Sequence, residues 1–264
     1  MIWLRKLSAC MTWISLGLPF MTMGEKALSR SLTIYTPDWP PFYIQDSQNP
    51  NHKGMAWDIL ETCADRIDRK AVFDNYPIRR MIKQMEDGDL DVNIMSFKED
   101  RQKMLAYGKE VIFENNYVII VGNHVTKPIR SLSDLDNLSI AQLVGLRPSD
   151  AFKSWFDQRL KKTGSKETLM LNTEEQILKM LAYGRIDATV ASLAEFRWRS
   201  HRLGLASRIR STNLLIKKQP YFLVMAKQSP IYKAKPQTLT NLDRCVRDLK
   251  KSGVWGNLKR QYQL

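Results

Sequence analysis

Cysteine is scarce here: three in 264 residues, at Cys10, Cys63 and Cys245. No Cys-x-x-Cys pair exists, and the three histidines, His52, His124 and His201, share no metal-ligand spacing, so the sequence offers no metal centre. A Gly-x-Ser-x-Gly elbow, a phosphate-cradling glycine loop and a dinucleotide fingerprint are all missing. With them go the common motifs for covalent catalysis and nucleotide use, and no cofactor is expected. Beyond the first 24 residues, no stretch is long and apolar enough to span a bilayer.

Those 24 residues read as a signal peptide. Arg5 and Lys6 form a short basic region, Leu7 to Met23 carry no charge, and Thr22 and Gly24 are small residues at the minus-three and minus-one positions of a cut before Glu25. An uncleaved N-terminal anchor is the alternative. Cys10 lies too near the start to follow a full apolar region and reads as incidental. An exported chain is expected, 240 residues long after cleavage, enough for one two-lobed unit or two small domains.

Acidic residues are the minority, 27 against 41 Lys and Arg, for a formal net charge of +14 that falls to +12 when Arg5 and Lys6 leave. Such a surplus favours anionic partners in general. The basic residues are scattered rather than clustered, so nucleic acid is not expected. A hydrophobic content of 44% argues against disorder.

The chain is organised around residues 79–101. Ile78, Met81, Ile82 and Met85 recur at helical spacing, which predicts an amphipathic helix over 77–87. Gly88 ends it, because glycine takes a left-handed C-cap at little cost. Leu90, Val92 and Ile94 then alternate as in a short strand, and Ser96, Lys98 and Arg101 project from a turn at its carboxyl end. Ligands of open α/β sheets sit there. The same grammar returns in a helix over 174–183, then Gly184-Arg185-Ile186-Asp187 and a strand ending at Ser192, with Gly184 placed 96 residues after Gly88. Two similar lobes are one reading; two ordinary α/β units that happen to match are the other.

A strand over 31–35 opens the fold and leads into Pro37-Asp38-Trp39-Pro40-Pro41-Phe42, where the prolines restrict the backbone. Trp39 and Phe42 serve there either as ligand platforms or as loop packing. A helix over 55–64 and a strand around 71–73 follow. Cys63 and Cys245, in the oxidising compartment that export implies, are either bridged or two buried free thiols.

Taken in order, Trp39-Pro40-Pro41-Phe42, Gly54-Met55-Ala56-Trp57-Asp58-Ile59-Leu60, Arg80 ahead of Gly88-x-x-Asp91, the run from Ser96 to Arg101, Ser131-Leu132-Ser133-Asp134-Leu135, the Gly145 turn, Gly184-Arg185-Ile186-Asp187 and a terminal Gly253-Val254-Trp255 form one succession. It resembles the family 3 extracellular solute-binding proteins, the amino-acid-type periplasmic receptors of ABC importers, over essentially the whole chain after residue 24. The resemblance implies an α/β chain with the type II periplasmic-binding-protein fold. Lobe 1 would be 25–113 with 222–264, and lobe 2 would be 114–221. Hinge crossovers would lie at 113–117 and 217–221, with the solute between the lobes. It implies a non-enzymatic monomer whose partners are a small-molecule solute and an inner-membrane ABC permease or membrane sensor.

The resemblance also implies a site. Arg101 matches the arginine that grips a ligand carboxylate, Ser96 a ligand contact, and Trp39 an aromatic that stacks on the ligand. Three positions depart from the family pattern. Lys98 replaces a usual threonine, Leu146 and Arg147 replace two hydroxyl residues, and Ser192 replaces the carboxylate that amino-acid binders use for the ligand ammonium. Lys98 and Arg147 point either into the cleft or into water. If inward, they add cations to a site that has lost its characteristic anion, so an anionic solute is expected over a zwitterionic amino acid. Two alternatives stay open. One is an exported enzyme resembling the cyclohexadienyl dehydratases, which would need a cleft acid such as Glu195. The other is a stand-alone sensory input domain.

Overall fold

The computed structural model describes residues 31–45, 53–75, 78–146, 148–161 and 167–264. Residues 1–24, read above as a signal peptide, and Arg147 lie outside them. Eight strands form one sheet: β1 (Ser31–Tyr35), β2 (Lys70–Asp74), β3 (Val92–Ser96), β4 (Leu105–Gly122), β5 (Ile140–Leu143), β6 (Thr168–Leu171), β7 (Ala188–Ser192) and β8 (Ile209–Ala226), in the order β2-β1-β3-β8-β4-β7-β5-β6. Parallel pairs lie at both ends, β2-β1-β3 and β7-β5-β6. The centre is antiparallel.

That centre joins the two ends. β4 and β8 are 18 residues each, far longer than the other strands, and pair with one another over most of that length. β8 meets β3 through Tyr221–Met225, while β4 meets β7 through Tyr117–Val121. The chain thus crosses between the halves twice, on adjacent strands. Irregularities at Tyr107/Val111, Val111/Phe113, Tyr117/Val118 and Val118/Ile120 interrupt the ladder around the crossing, and such bulges bend a strand and increase its twist.

Alternation along the crossing strands supplies core to both faces. Val118 and Ile120 enter one cluster with Ile177 and Leu181, and Ile119 and Val121 enter another with Phe152 and Phe156. In the other half, Leu223 and Met225 pack with Leu32, Ile34 and Val92 on one side, and Val224 and Ala226 with Met81 and Met85 on the other. Helices α1 (Met55–Arg66), α2 (Ile78–Asp87), α3 (Asp150–Lys161), α4 (Glu174–Ala182), α5 (Leu193–Arg202), α6 (Pro230–Ala234), α7 (Gln237–Lys251) and α8 (Val254–Gln261) accompany this sheet. The disulfide Cys63–Cys245 ties α1 to α7, so the bridged alternative is the one present.

The strand expected from the alternation of Leu90, Val92 and Ile94 forms as β3, and it is covered on both faces. Val92, Asn93, Ile94 and Met95 are all buried, because α1 and α2 residues cover opposite faces of this strand. Gly88 does stop α2, with φ +86°, and any Cβ there would meet the Gln228 carbonyl oxygen at 2.4 Å.

The two Gly-x-x-Asp units do the same structural work. Asp91 accepts the Thr33 N–H of β1 at 2.9 Å, and Asp187 accepts the Ser139 N–H ahead of β5 at 2.7 Å. Each aspartate anchors its strand to the parallel neighbour. Asp91 also accepts the hydroxyl of Ser229, which caps α6. Its carboxyl is raised above the ordinary aspartate value by burial, against which the hydrogen bonds from Ser229 and Thr33 work.

Candidate functional site

The loop after β1 closes on itself: Trp39 N–H donates to the Tyr43 carbonyl at 3.0 Å, and Tyr43 N–H to the Trp39 carbonyl at 2.9 Å, around a cis Pro40–Pro41 peptide. This turn holds two aromatic rings beside the strand crossing. Trp39 lies 4.9 Å from both Phe42 and Tyr221, ring centre to ring centre, and Phe42 stacks on Phe113 at 3.8 Å. Phe113 and Tyr221 are register partners of β4 and β8. The four rings thus form a layer on the crossing itself.

On one side of that layer opens a cavity of about 310 Å³, bordered by Trp39, Ser96, Arg101, Tyr117, Tyr221 and Asp38. It lies at the carboxyl ends of β1 and β3, where the sheet changes direction. The Arg101 guanidinium sits in a 3-10 turn over Glu99–Lys103 and touches the Ser96 carbonyl through Nη1 at 3.4 Å. Among the described residues it enters no ion pair. A planar, permanently charged fork in such a place suits a carboxylate. Burial pushes the phenols of Tyr117 and Tyr221 up, so both present neutral hydroxyls.

Of the seven residues expected in a site, the fold brings three together at this cavity: Trp39, Ser96 and Arg101. Phe42 is buried and turns its ring to the opposite side of the aromatic layer. Lys98 is exposed just ahead of the 3-10 turn and does not border the cavity. Ser192 is 2% exposed, donates to Asn115 Oδ1 at 2.6 Å and accepts the Glu195 N–H at 3.3 Å as the N-cap of α5. Its hydroxyl is thus engaged within the protein. Arg147 lies outside the described residues.

Glu195, the acid an enzyme on this scaffold would need, does not border the cavity either. It is buried against Arg199, with Oε1 2.9 Å from Nη2, and Arg199 Nε reaches Glu174 Oε2 at 3.2 Å. Burial, then the neighbouring Glu174 carboxylate, push the Glu195 carboxyl well above the ordinary glutamate range. Asp38, the one acid bordering the cavity among the described residues, faces Arg199 at 3.6 Å.

Asp38, Tyr117 and Tyr221 were not singled out from the sequence. Asp38 stands inside the quoted Trp-Pro-Pro loop, and the tyrosines at the ends of the expected hinges. No local pattern says that their side chains converge.

A profile of the bacterial extracellular solute-binding proteins, family 3, matches residues 32–264. The probable amino-acid-binding protein YxeM of Bacillus subtilis (strain 168) is 23% identical over 220 residues, 81% of this chain and 77% of that protein. Among solved structures, the GluR0 ligand-binding core in complex with L-glutamate superposes with a TM-score of 0.68 at 16% identity, covering 88% of this chain and 97% of that one. An ancestral arginine-binding protein bound to arginine gives 0.66 at 19% identity, covering 89% and 99%. These likenesses carry the fold, the type II periplasmic-binding architecture, and the profile match carries the membership: the chain belongs to the family 3 bacterial extracellular solute-binding proteins.

Proposed function

We propose that this protein captures a small organic anion between two lobes, 25–113 with 222–264 and 114–221, which close about the crossings at 113–117 and 217–221. After export to the periplasm, guided by residues 1–24, it presents that solute to an inner-membrane ABC permease or a membrane sensor as a non-enzymatic monomer. One observation carries the reading: the Arg101 guanidinium, free of any carboxylate partner among the described residues, borders the cavity floored by Trp39 and Ser96. A charge-assisted bond from it to a ligand carboxylate contributes about 1.5–3 kcal/mol.

The preference for an anion over a zwitterion follows from the acids. An ammonium group buried in a closed cleft needs a counter-charge. Among the described residues Asp38 is the only acid bordering the cavity and already faces Arg199, while Ser192 supplies no charge and is tied to Asn115.

Calorimetric titration with dicarboxylates, other organic acids and the amino acids glutamine, histidine, arginine and glutamate tests this. Organic anions should bind best, and Arg101→Ala should weaken them at least tenfold while leaving the melting temperature of the free protein unchanged. Micromolar binding of glutamine, histidine or arginine with none of an organic anion would overturn the ligand class. Unchanged affinity in Arg101→Ala would overturn the site.

A further inference from the structure

The aromatic layer at the crossing has a second side. Behind it opens a cavity of about 440 Å³, bordered by Phe42 and Phe113 from the layer and by Leu193, Ala194 and Arg197 of α5. Lys250, Trp255 and Lys259 of α7 and α8 close the other wall. Its floor is apolar and its rim is cationic. Lys250 is held by Glu110 at 3.1 Å, whereas among the described residues neither Arg197 nor Lys259 enters an ion pair. Among the described residues the acidic side chain at the rim is Glu114, engaged by Lys218 at 2.8 Å, and the last residue, Leu264, borders the cavity as well.

We propose that this rear cavity is a second binding site, for a small aromatic acid. Uncompensated cations converging on a concave, partly apolar wall raise the local concentration of anions and reward one with an apolar body. Phe42, Phe113 and Trp255 offer ring surface for that body.

The repeat points to Arg197 independently. The 96-residue offset that carries Gly88 to Gly184 and Asp91 to Asp187 also carries Ser96 to Ser192 and Arg101 to Arg197. One arginine of this pair borders the front cavity and the other borders the rear one. Arg197 and Lys259 reach the rear cavity from opposite sides of the crossing, so one bound anion ties α5 to α8 behind the cleft.

Titration calorimetry of the purified protein with 2-naphthoate, and with the uncharged 2-naphthamide, tests this. The acid should bind at one site per chain, and the amide at least tenfold more weakly. The double variant Arg197→Glu, Lys259→Glu, both residues exposed on the surface, should weaken the acid at least tenfold without lowering the melting temperature. Filling the cavity by Ala194→Trp should abolish binding, and Arg101→Ala should leave it unchanged. No binding of the acid, equal binding of the amide, or full binding in the double variant overturns the proposal. Loss of binding in Arg101→Ala does so as well, by moving the acid to the front cavity, so the test stands whatever the fate of the cleft ligand.

Discussion

Arg199 Nη2 stands 3.6 Å from Asp38 Oδ2, joining the helix that follows β7 to the loop that follows β1. The same guanidinium holds Glu195 and Glu174 of its own half. One cation thus serves three carboxylates, two of them largely buried, at a seam where α5 of one half packs against the other; Ala194 and Trp198 lie on the core of the β1 half.

Removing that cation should be costly. Arg199→Met leaves Glu174 and Glu195 facing each other without compensation, and breaking a buried pair this way costs about 3–5 kcal/mol. Because Glu195 readily takes a proton, the loss should fall near the lower end at pH 5 and be larger at pH 8. Urea unfolding at both values measures it, and a loss under about 1 kcal/mol at pH 8 would contradict the arrangement.

The Glu195 carboxyl, raised by burial and by Glu174, gives stability a definite slope with pH. An acid whose folded value is raised binds more protons folded than unfolded. Its contribution is therefore fully present below the unfolded value of about 4.3 and is lost as pH rises through the folded one. Asp134, held down to about 2 chiefly by the Arg130 N–H, acts oppositely and only below that window. Melting temperatures of Glu195→Gln and the parent between pH 5 and 8 separate the two, and the variant should lose the downward slope.

The Cys63–Cys245 bridge spans 182 residues of sequence. Cross-linking so long a loop limits the unfolded chain, with a ceiling near about 5 kcal/mol and typical effects of about 2–4 kcal/mol. Replacing both cysteines by alanine should lower unfolding free energy within that typical range. Thiol titration of the denatured, unreduced protein lacking residues 1–24 should find no free thiol; two would exclude the bridge.

Gly88 turns with φ +86°, against the Gln228 backbone. Gly88→Ala costs about 1–2 kcal/mol for the left-handed backbone alone, and the contact at 2.4 Å adds to it. The combined loss, read by chemical denaturation, should exceed that of Gly145→Ala, where φ is +83° but nothing lies within 4 Å. Equal losses would mean that the contact relaxes freely.

Local pattern was legible where local physics decides. The stripe around Met81 and Met85 made α2, Gly88 stopped it, and the second helix and strand repeated the grammar as α4 and β7. Thr173 caps α4 by accepting the Gln176 N–H, as its composition allows. Burial of β3 on both faces was not legible, because its cover comes from helices distant in sequence.

The site divides the same way. By itself the sequence determined that Trp39 sits on a proline-restricted loop after a strand, and that Ser96 and Arg101 follow another strand end, because turn chemistry and apolar periodicity are properties of neighbours along the chain. Only the tertiary structure decided that Phe42 stacks on Phe113 and borders the second cavity rather than the one at Trp39, and that Ser192 is spent on Asn115 and the α5 cap. It alone brought Asp38 to Arg199. Which face a side chain meets is settled by the crossing of β4 and β8, where packing, hydrogen bonding and desolvation join residues a hundred or more positions apart, and no local pattern records those contacts.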